Sequence, residues 1–322
     1  MKKYIFQTTF LAIIACLLWS SAFVGVKIGL KYHTPLQFAG IRFAISGLLL
    51  LPVIHNLKRF RKEVQENFGF VCLIAFLQII LQYSLFYMGV NLVPASISAM
   101  IVGSSPLFVA LVAHFFTFND RIEWRKSGSI ILGISGVAVI TLGRKTLPSG
   151  AEIALPGVVF LLLNNLVSGI TNVVIARKVQ SISPMVLTSA SLFIGGVFMF
   201  VISLPIEGLP QKAFPPEYYM SLAWLSFLSA AAISIWNTLL RRPKVKVSEL
   251  NIWKFLIPVS GAILSWIIIP NESPDFVSVS GMILIVLSLV ILYSTKRHQN
   301  SAAKIAAQKP VSSVAQEKDR SA

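Results

Sequence analysis

The sequence predicts an all-α integral membrane protein: ten transmembrane helices in two inverted five-helix repeats, with both termini cytoplasmic. Three observations predict it. Apolar runs of spanning length recur from near the N-terminus to about residue 294. Lysine and arginine fall preferentially in every second connection, and landmarks of the first half return in the second.

The composition sets the class. The chain has 322 residues, 55% hydrophobic and only 12% charged, with a mean hydropathy of +0.76. A soluble domain carries roughly a quarter charged residues. The expected spans are 8–30, 35–54, 69–91, 94–117, 126–143, 155–176, 184–206, 218–240, 247–269 and 276–294. At about 1.5 Å per residue, each reaches across about 30 Å of hydrocarbon. Residues 297–322 read as a disordered cytoplasmic tail, rich in Ser, Ala, Lys and Gln. The apolar run after Lys2 and Lys3 continues through Leu17-Leu18-Trp19 to about Leu30, the length of a spanning helix rather than of a signal peptide.

The basic residues test the count. With both termini inside, 21 of the 28 lysines and arginines lie on the inner side. The outer side receives only Lys31, Arg144, Lys145 and Lys212, while Lys27, Arg42 and Lys254 fall within spans. The positive-inside rule fits an even number of spans in this orientation. The net charge of +16 is thereby explained without nucleic acid, for which no soluble domain remains. Cys16 and Cys72 lie in apolar segments and read as buried small residues.

The halves are expected at 1–148 and 149–296. Pro106 and Pro258 stand 152 residues apart, and the same offset carries Asn119-Asp120 onto Asn271-Glu272. Pro35 and Pro184 each begin the second helix of a half. Five is odd, so the second half enters the membrane from the opposite side, an architecture typical of transporters.

Leu18-Trp19-Ser20-Ser21-Ala22-Phe23 followed by Lys27 in the first helix, and Pro35 with Ile41-Arg42-Phe43 in the second, resemble the patterns of the drug/metabolite transporter superfamily, in particular its ten-helix EamA-type members, and the resemblance extends over about residues 8–296. Val93-Pro94-Ala95-Ser96 through Pro106-Leu107-Phe108-Val109-Ala110 resembles the family's fourth helix. Asn119-Asp120-Arg121 stands where the family shows Gly-Glu-Arg, and Asn271-Glu272-Ser273-Pro274 where it shows Gly-Glu-Pro. Lys254, in a helix that is usually apolar, is a further departure. The resemblance implies export or exchange of amino acids, nucleobases and related metabolites. It also gives Arg42 a general structural role.

Ionisable and amide groups inside spans mark the candidate pathway. Lys254 shares a helical stripe with Ser248, Asn251, Pro258, Gly261 and Ser265. It can face a cavity and attract a carboxylate or phosphate, or snorkel to the inner interface. Gln78 and Gln82 lie one turn apart with Tyr83 close by; Asn165, Ser168 and Asn172 share one face; Asn237 sits late in the eighth span. With Trp19, near the middle of the first span, these are the candidate substrate-binding residues. Each has an alternative use as a helix-to-helix hydrogen bond or packing group. Lys27 is expected to snorkel, and Gly133, Gly136, Gly195 and Gly196 to permit close helix packing.

All twelve acidic residues fall in connections, in the tail or at span ends, so no buried carboxylate offers a simple proton relay. No phosphate-binding loop of the Walker type and no metal-ligand spacing among the four histidines occurs, so no cofactor is expected. The partners expected are a small-molecule substrate and the lipid bilayer, with monomer and homodimer both open. The location expected is a bacterial inner membrane. The competing readings are an integral membrane enzyme acting on lipid-linked substrates and a structural membrane protein.

Overall fold

The computed structural model describes residues 2–54, 56–116, 124–143, 153–177, 182–209, 213–242, 245 and 247–308. Asn119, Asp120, Arg121 and positions 309–322 lie outside these residues, as do the side chains of His114 and Ser248. Among the described residues there is helix and no strand.

The helices are α1 (Lys2–Gly29), α2 (Pro35–Leu49), α3 (Leu51–Ile54), α4 (Leu57–Glu66), α5 (Phe68–Ile74) and α6 (Gln82–Leu92). A π-helical stretch, Ala75–Leu81, joins α5 to α6 as one span. There follow α7 (Ala95–Gly103), α8 (Ser105–Phe116), α9 (Trp124–Leu142), α10 (Leu155–Arg177), α11 (Pro184–Glu207) and α12 (Pro216–Leu240). Last come α13 (Val247–Asn251), a 3-10 turn (Ile252–Phe255), α14 (Leu256–Ile268) and α15 (Phe276–Gln308). Among the described residues, eight segments are long and apolar enough to cross a membrane, and Ser127–Leu142 and Trp253–Ile268 are shorter apolar helices. Two details differ from the expected spans. The connection after α2 contains the basic amphipathic helix α4, and the last helix continues to Gln308 rather than ending at 294.

Prolines set the helix boundaries. Pro35, Pro184 and Pro216 stand in the first turns of α2, α11 and α12, where a missing N–H costs nothing. In the middle of a span proline instead breaks the ladder. Pro106 coincides with the break between α7 and α8, and Pro258 follows the 3-10 turn before α14. The two interrupted segments pack together: a Cβ on Gly103 would lie 2.3 Å from Pro258 Cδ, so only glycine fits that crossing.

The principal packing partners are α2 with α11, α9 with α15, α7 with α14, α1 with α12, and α6 with α10. Small residues bring the backbones together. A Cβ on Gly196 would meet the Ala44 nitrogen at 2.3 Å, and Gly136 and Gly281 each face the other's carbonyl. Leu163, Phe198, Ile267 and Leu287 are among the large apolar side chains left exposed, as expected for surfaces that meet lipid.

Carboxylates tie helix starts to the ends of other helices. Glu207, the last residue of α11, accepts hydrogen bonds from the Leu36 and Gln37 N–H groups at 2.9 Å each. Glu272 accepts from Ala95 and Ser96 at 2.7 and 2.8 Å. Glu63 on α4 accepts from Ser183, the N-cap of α11, at 2.8 Å. Each anion meets donors that a helix start leaves open and the positive end of its dipole. Asn271, before Glu272, has φ of 67°. Asn tolerates this left-handed conformation better than other non-glycine residues, which accounts for its standing where the resemblance places Gly.

Glu272→Ala leaves two buried N–H groups without an acceptor and should cost about 2 kcal/mol. Thermal unfolding of the purified protein checks this, with Glu272→Gln losing less. His33, in the α1–α2 connection, stacks on Tyr218 at 5.7 Å and lies 5.0 Å from Phe214. Burial lowers its pKa, against opposing contributions from the Thr34 carbonyl and Glu207. The unfolded chain therefore takes up the proton first, so stability should fall as pH drops below ~6.5 and level off beneath the lowered value. His33→Phe, which keeps the stacking, should flatten that slope in melting curves taken across the range.

Candidate functional site

A cleft lies where the interrupted segments meet α1, α2, α6, α10 and α12. It spans about 740 Å³, including the part open to solvent. Trp19, Gln78, Gln82, Tyr83, Asn165, Ser168, Asn172 and Lys254 all line it. So do Arg42, Ser105, Asn164, Thr171, Phe23, Phe86 and Trp236. Asn251 and Asn237 are not among the lining residues. Asn251 stands behind the wall, where its Oδ1 accepts from Asn172 at 3.3 Å, and Asn237 donates to Thr188 Oγ1 at 3.0 Å.

Lys254 does not snorkel. It is 5% exposed, and its Nζ lies 5.0 Å from the Trp236 ring centroid and 5.6 Å from that of Trp19. The two indoles meet edge to face at 5.0 Å. Their faces attract the cation and offset part of the cost of burying it. Trp236 is fixed in turn: its Nε1 donates to Asn172 Oδ1 at 3.0 Å, and Asn251 donates to the Val247 carbonyl at 2.8 Å. One chain of polar contacts thus runs from α13 through α10 to α12 and holds the aromatic walls beside Lys254.

Arg42 is held on the opposite branch. Its Nε donates to Ser229 Oγ at 2.8 Å and the Leu225 carbonyl at 3.2 Å, and Nη1 donates to Tyr87 Oη at 2.6 Å. It also lies 4.9 Å from the Phe43 ring centroid. These contacts suit the structural role that the resemblance implied, and Arg42 also lines the cleft.

The break in the fourth span is closed by Asn165. Its Nδ2 donates to the Ile101 carbonyl at 2.8 Å and Ser104 Oγ at 3.2 Å. Irregular backbone at membrane depth requires such partners. Gln78 reaches the cleft from the π-helical stretch, a distortion that often re-aims functional side chains. Its Oε1 is buried without a hydrogen bond in the protein.

Sequence reasoning passed over Ser105 and Thr171 as lining groups. Thr171 was detectable, since it lies three residues beyond Ser168 on the same helical face. Ser105 was not, because the break beside Pro106 turns that stretch. Lys27, expected to snorkel, donates to the Val90 and Val93 carbonyls at 2.9 and 3.0 Å and holds the end of α6.

An all-helical fold with many apolar spans around a central polar cleft defines a multi-pass membrane protein of the transporter type. The chain belongs to the EamA-like transporter family, whose pattern it matches over residues 7–142 and 155–294. It is 28% identical to an uncharacterized transporter of Bacillus subtilis (strain 168), YvbV, over 92% of this chain and 95% of that one. It is 26% identical to a probable amino-acid metabolite efflux pump of Escherichia coli (strain K12), over 87% and 93% of the two chains. A solved crystal structure shares the fold with a TM-score of 0.66 at 15% identity, over 91% of this chain and 98% of its own.

Arg42→Lys keeps the charge but loses the planar fork that serves Tyr87, Ser229 and the Leu225 carbonyl. It should lower stability by about 2–3 kcal/mol through the partners left unpaired, read as an earlier thermal transition and reduced yield of folded protein.

Proposed function

We propose that this chain is a secondary transporter, not driven directly by ATP, that exports or exchanges small metabolites such as amino acids or nucleobase-like compounds by alternating access. The observation that carries the proposal is the polar cleft at the crossing of two proline-interrupted helices. Discontinuous helices at mid-membrane are where transporters place their substrate sites. In this reading Trp19, Gln78, Gln82, Tyr83, Asn165, Ser168, Asn172 and Lys254 contact the substrate, and Asn237 and Asn251 hold the wall behind them.

The packing partners support two inverted repeats, 1–148 and 149–296, each of five spans. If α1 to α9 supply one repeat and α10 to α15 the other, then α2 with α11 and α9 with α15 are counterparts packed on each other, and the α7–α14 and α8–α13 contacts join the fourth span to its counterpart, the ninth. A two-fold axis in the membrane plane would also turn the α1–α12 pair into the α10–α6 pair. Two halves related in this way can exchange conformations and open the cleft to each side in turn. In this reading both termini lie in the cytoplasm and the protein sits in a bacterial inner membrane; the gathering of basic residues in alternate connections supports that orientation. With no carboxylate among the cleft residues to carry protons or a cation, exchange or facilitated diffusion is the mode this reading favours.

Counterflow into proteoliposomes tests the proposal, using pooled labelled amino acids, N-acyl amino acids and nucleobases with the matching unlabelled pool inside. Uptake that depends on internal substrate, and that falls at least about tenfold in folded Asn172→Ala, is the expected result. Absence of counterflow for every pool would defeat it.

A further inference from the structure

We propose that the cleft selects organic anions, specifically monocarboxylates that also carry an aromatic ring and an N–H or O–H donor, with Lys254 holding the carboxylate. This rests on the transporter reading and moves its substrate class from free amino acids to organic anions such as their N-acyl derivatives. Zwitterionic amino acids and amines are disfavoured.

The charge balance of the cleft is one-sided. Lys254 and Arg42 both line it, at 5% and 1% exposure, and no aspartate or glutamate is among its lining residues. Arg42 spends donors on Ser229, the Leu225 carbonyl and Tyr87. Lys254 is different. Among the described residues its ammonium faces two indole rings and makes no hydrogen bond or ion pair with the protein. An ammonium has three donors, and a buried charge is costly unless an opposite charge accompanies it. Cation–π attraction recovers only part of that cost. A carboxylate entering the cleft supplies the missing partner.

The same balance acts against an α-ammonium group. It would sit beside two fixed cations in a region of low dielectric, without a carboxylate to receive it. A neutral amide on the substrate meets no such repulsion, and Gln78 Oε1, buried and without a partner in the protein, is placed to accept its N–H. Trp19, Trp236, Phe23 and Phe86 supply flat apolar walls. One uncommitted ammonium suits a carboxylate better than a phosphate dianion, which calls for several charge-assisted donors at once.

An aromatic series of differing charge separates the possibilities: N-acetyl-L-phenylalanine (anion), its isostere N-acetyl-L-phenylalaninamide (neutral), L-phenylalanine (zwitterion) and phenyl phosphate. Binding of each to the purified full chain is followed by thermal shift, and counterflow of each by proteoliposomes. The anion should bind at least tenfold more tightly than the amide or the zwitterion. Lys254→Met should abolish that preference, and Lys254→Arg should keep most of it. Equal or tighter binding of the amide, the zwitterion or the phosphate overturns the proposal, as does binding of none of them or a preference that survives Lys254→Met. The wild-type comparison stands even where Lys254→Met fails to fold. Anion-selective binding without counterflow would leave this site in place and remove the transporter reading. Counterflow of L-phenylalanine in preference to the anion would do the reverse.

Discussion

A membrane interior contains no water to receive a backbone carbonyl, so irregular backbone there has to find its partners within the protein. Much of this structure follows from meeting that requirement at two places where proline interrupts a span. At the first, Asn165 donates to the Ile101 carbonyl and to Ser104. At the second, a 3-10 turn carries Lys254 toward Trp19 and Trp236. Because Gly103 lets Pro258 approach so closely, the two irregular segments cross at one depth. The cleft is what their meeting leaves open.

The surrounding polar contacts turn that opening into a shaped site. Asn251, Asn172 and Trp236 form a relay across three segments, so the position of an aromatic wall depends on side chains remote in sequence. Arg42 does the same on the other side, where Tyr87 and Ser229 receive its guanidinium. Neither branch contains an acid. A cleft built from amides, hydroxyls, aromatics and two cations holds a positive field that low dielectric does little to screen.

At the helix ends the constraint is met by charge. Glu207, Glu272 and Glu63 each accept from N–H groups that begin another helix, and each joins elements distant in the chain. Among the described residues, these carboxylates thus sit at helix ends, while none lines the cleft. The same carboxylate that would be costly inside a span is favoured at a helix start near the interface.

The sequence by itself determined the class, the approximate spans and the family, because a bilayer imposes a length and a hydropathy that single residues cannot hide. It also identified most of the cleft, since an amide or ammonium inside an apolar run stands out whatever its neighbours are. Only the tertiary structure decided which of those groups face one space. Asn172 and Asn237 read alike in sequence, but one lines the cleft while the other donates to Thr188. Lys254 had two readings that helical spacing cannot separate, because a four-carbon stem reaches either way. The indoles of Trp19 and Trp236 settle it, and they come from helices that meet only in the folded bundle.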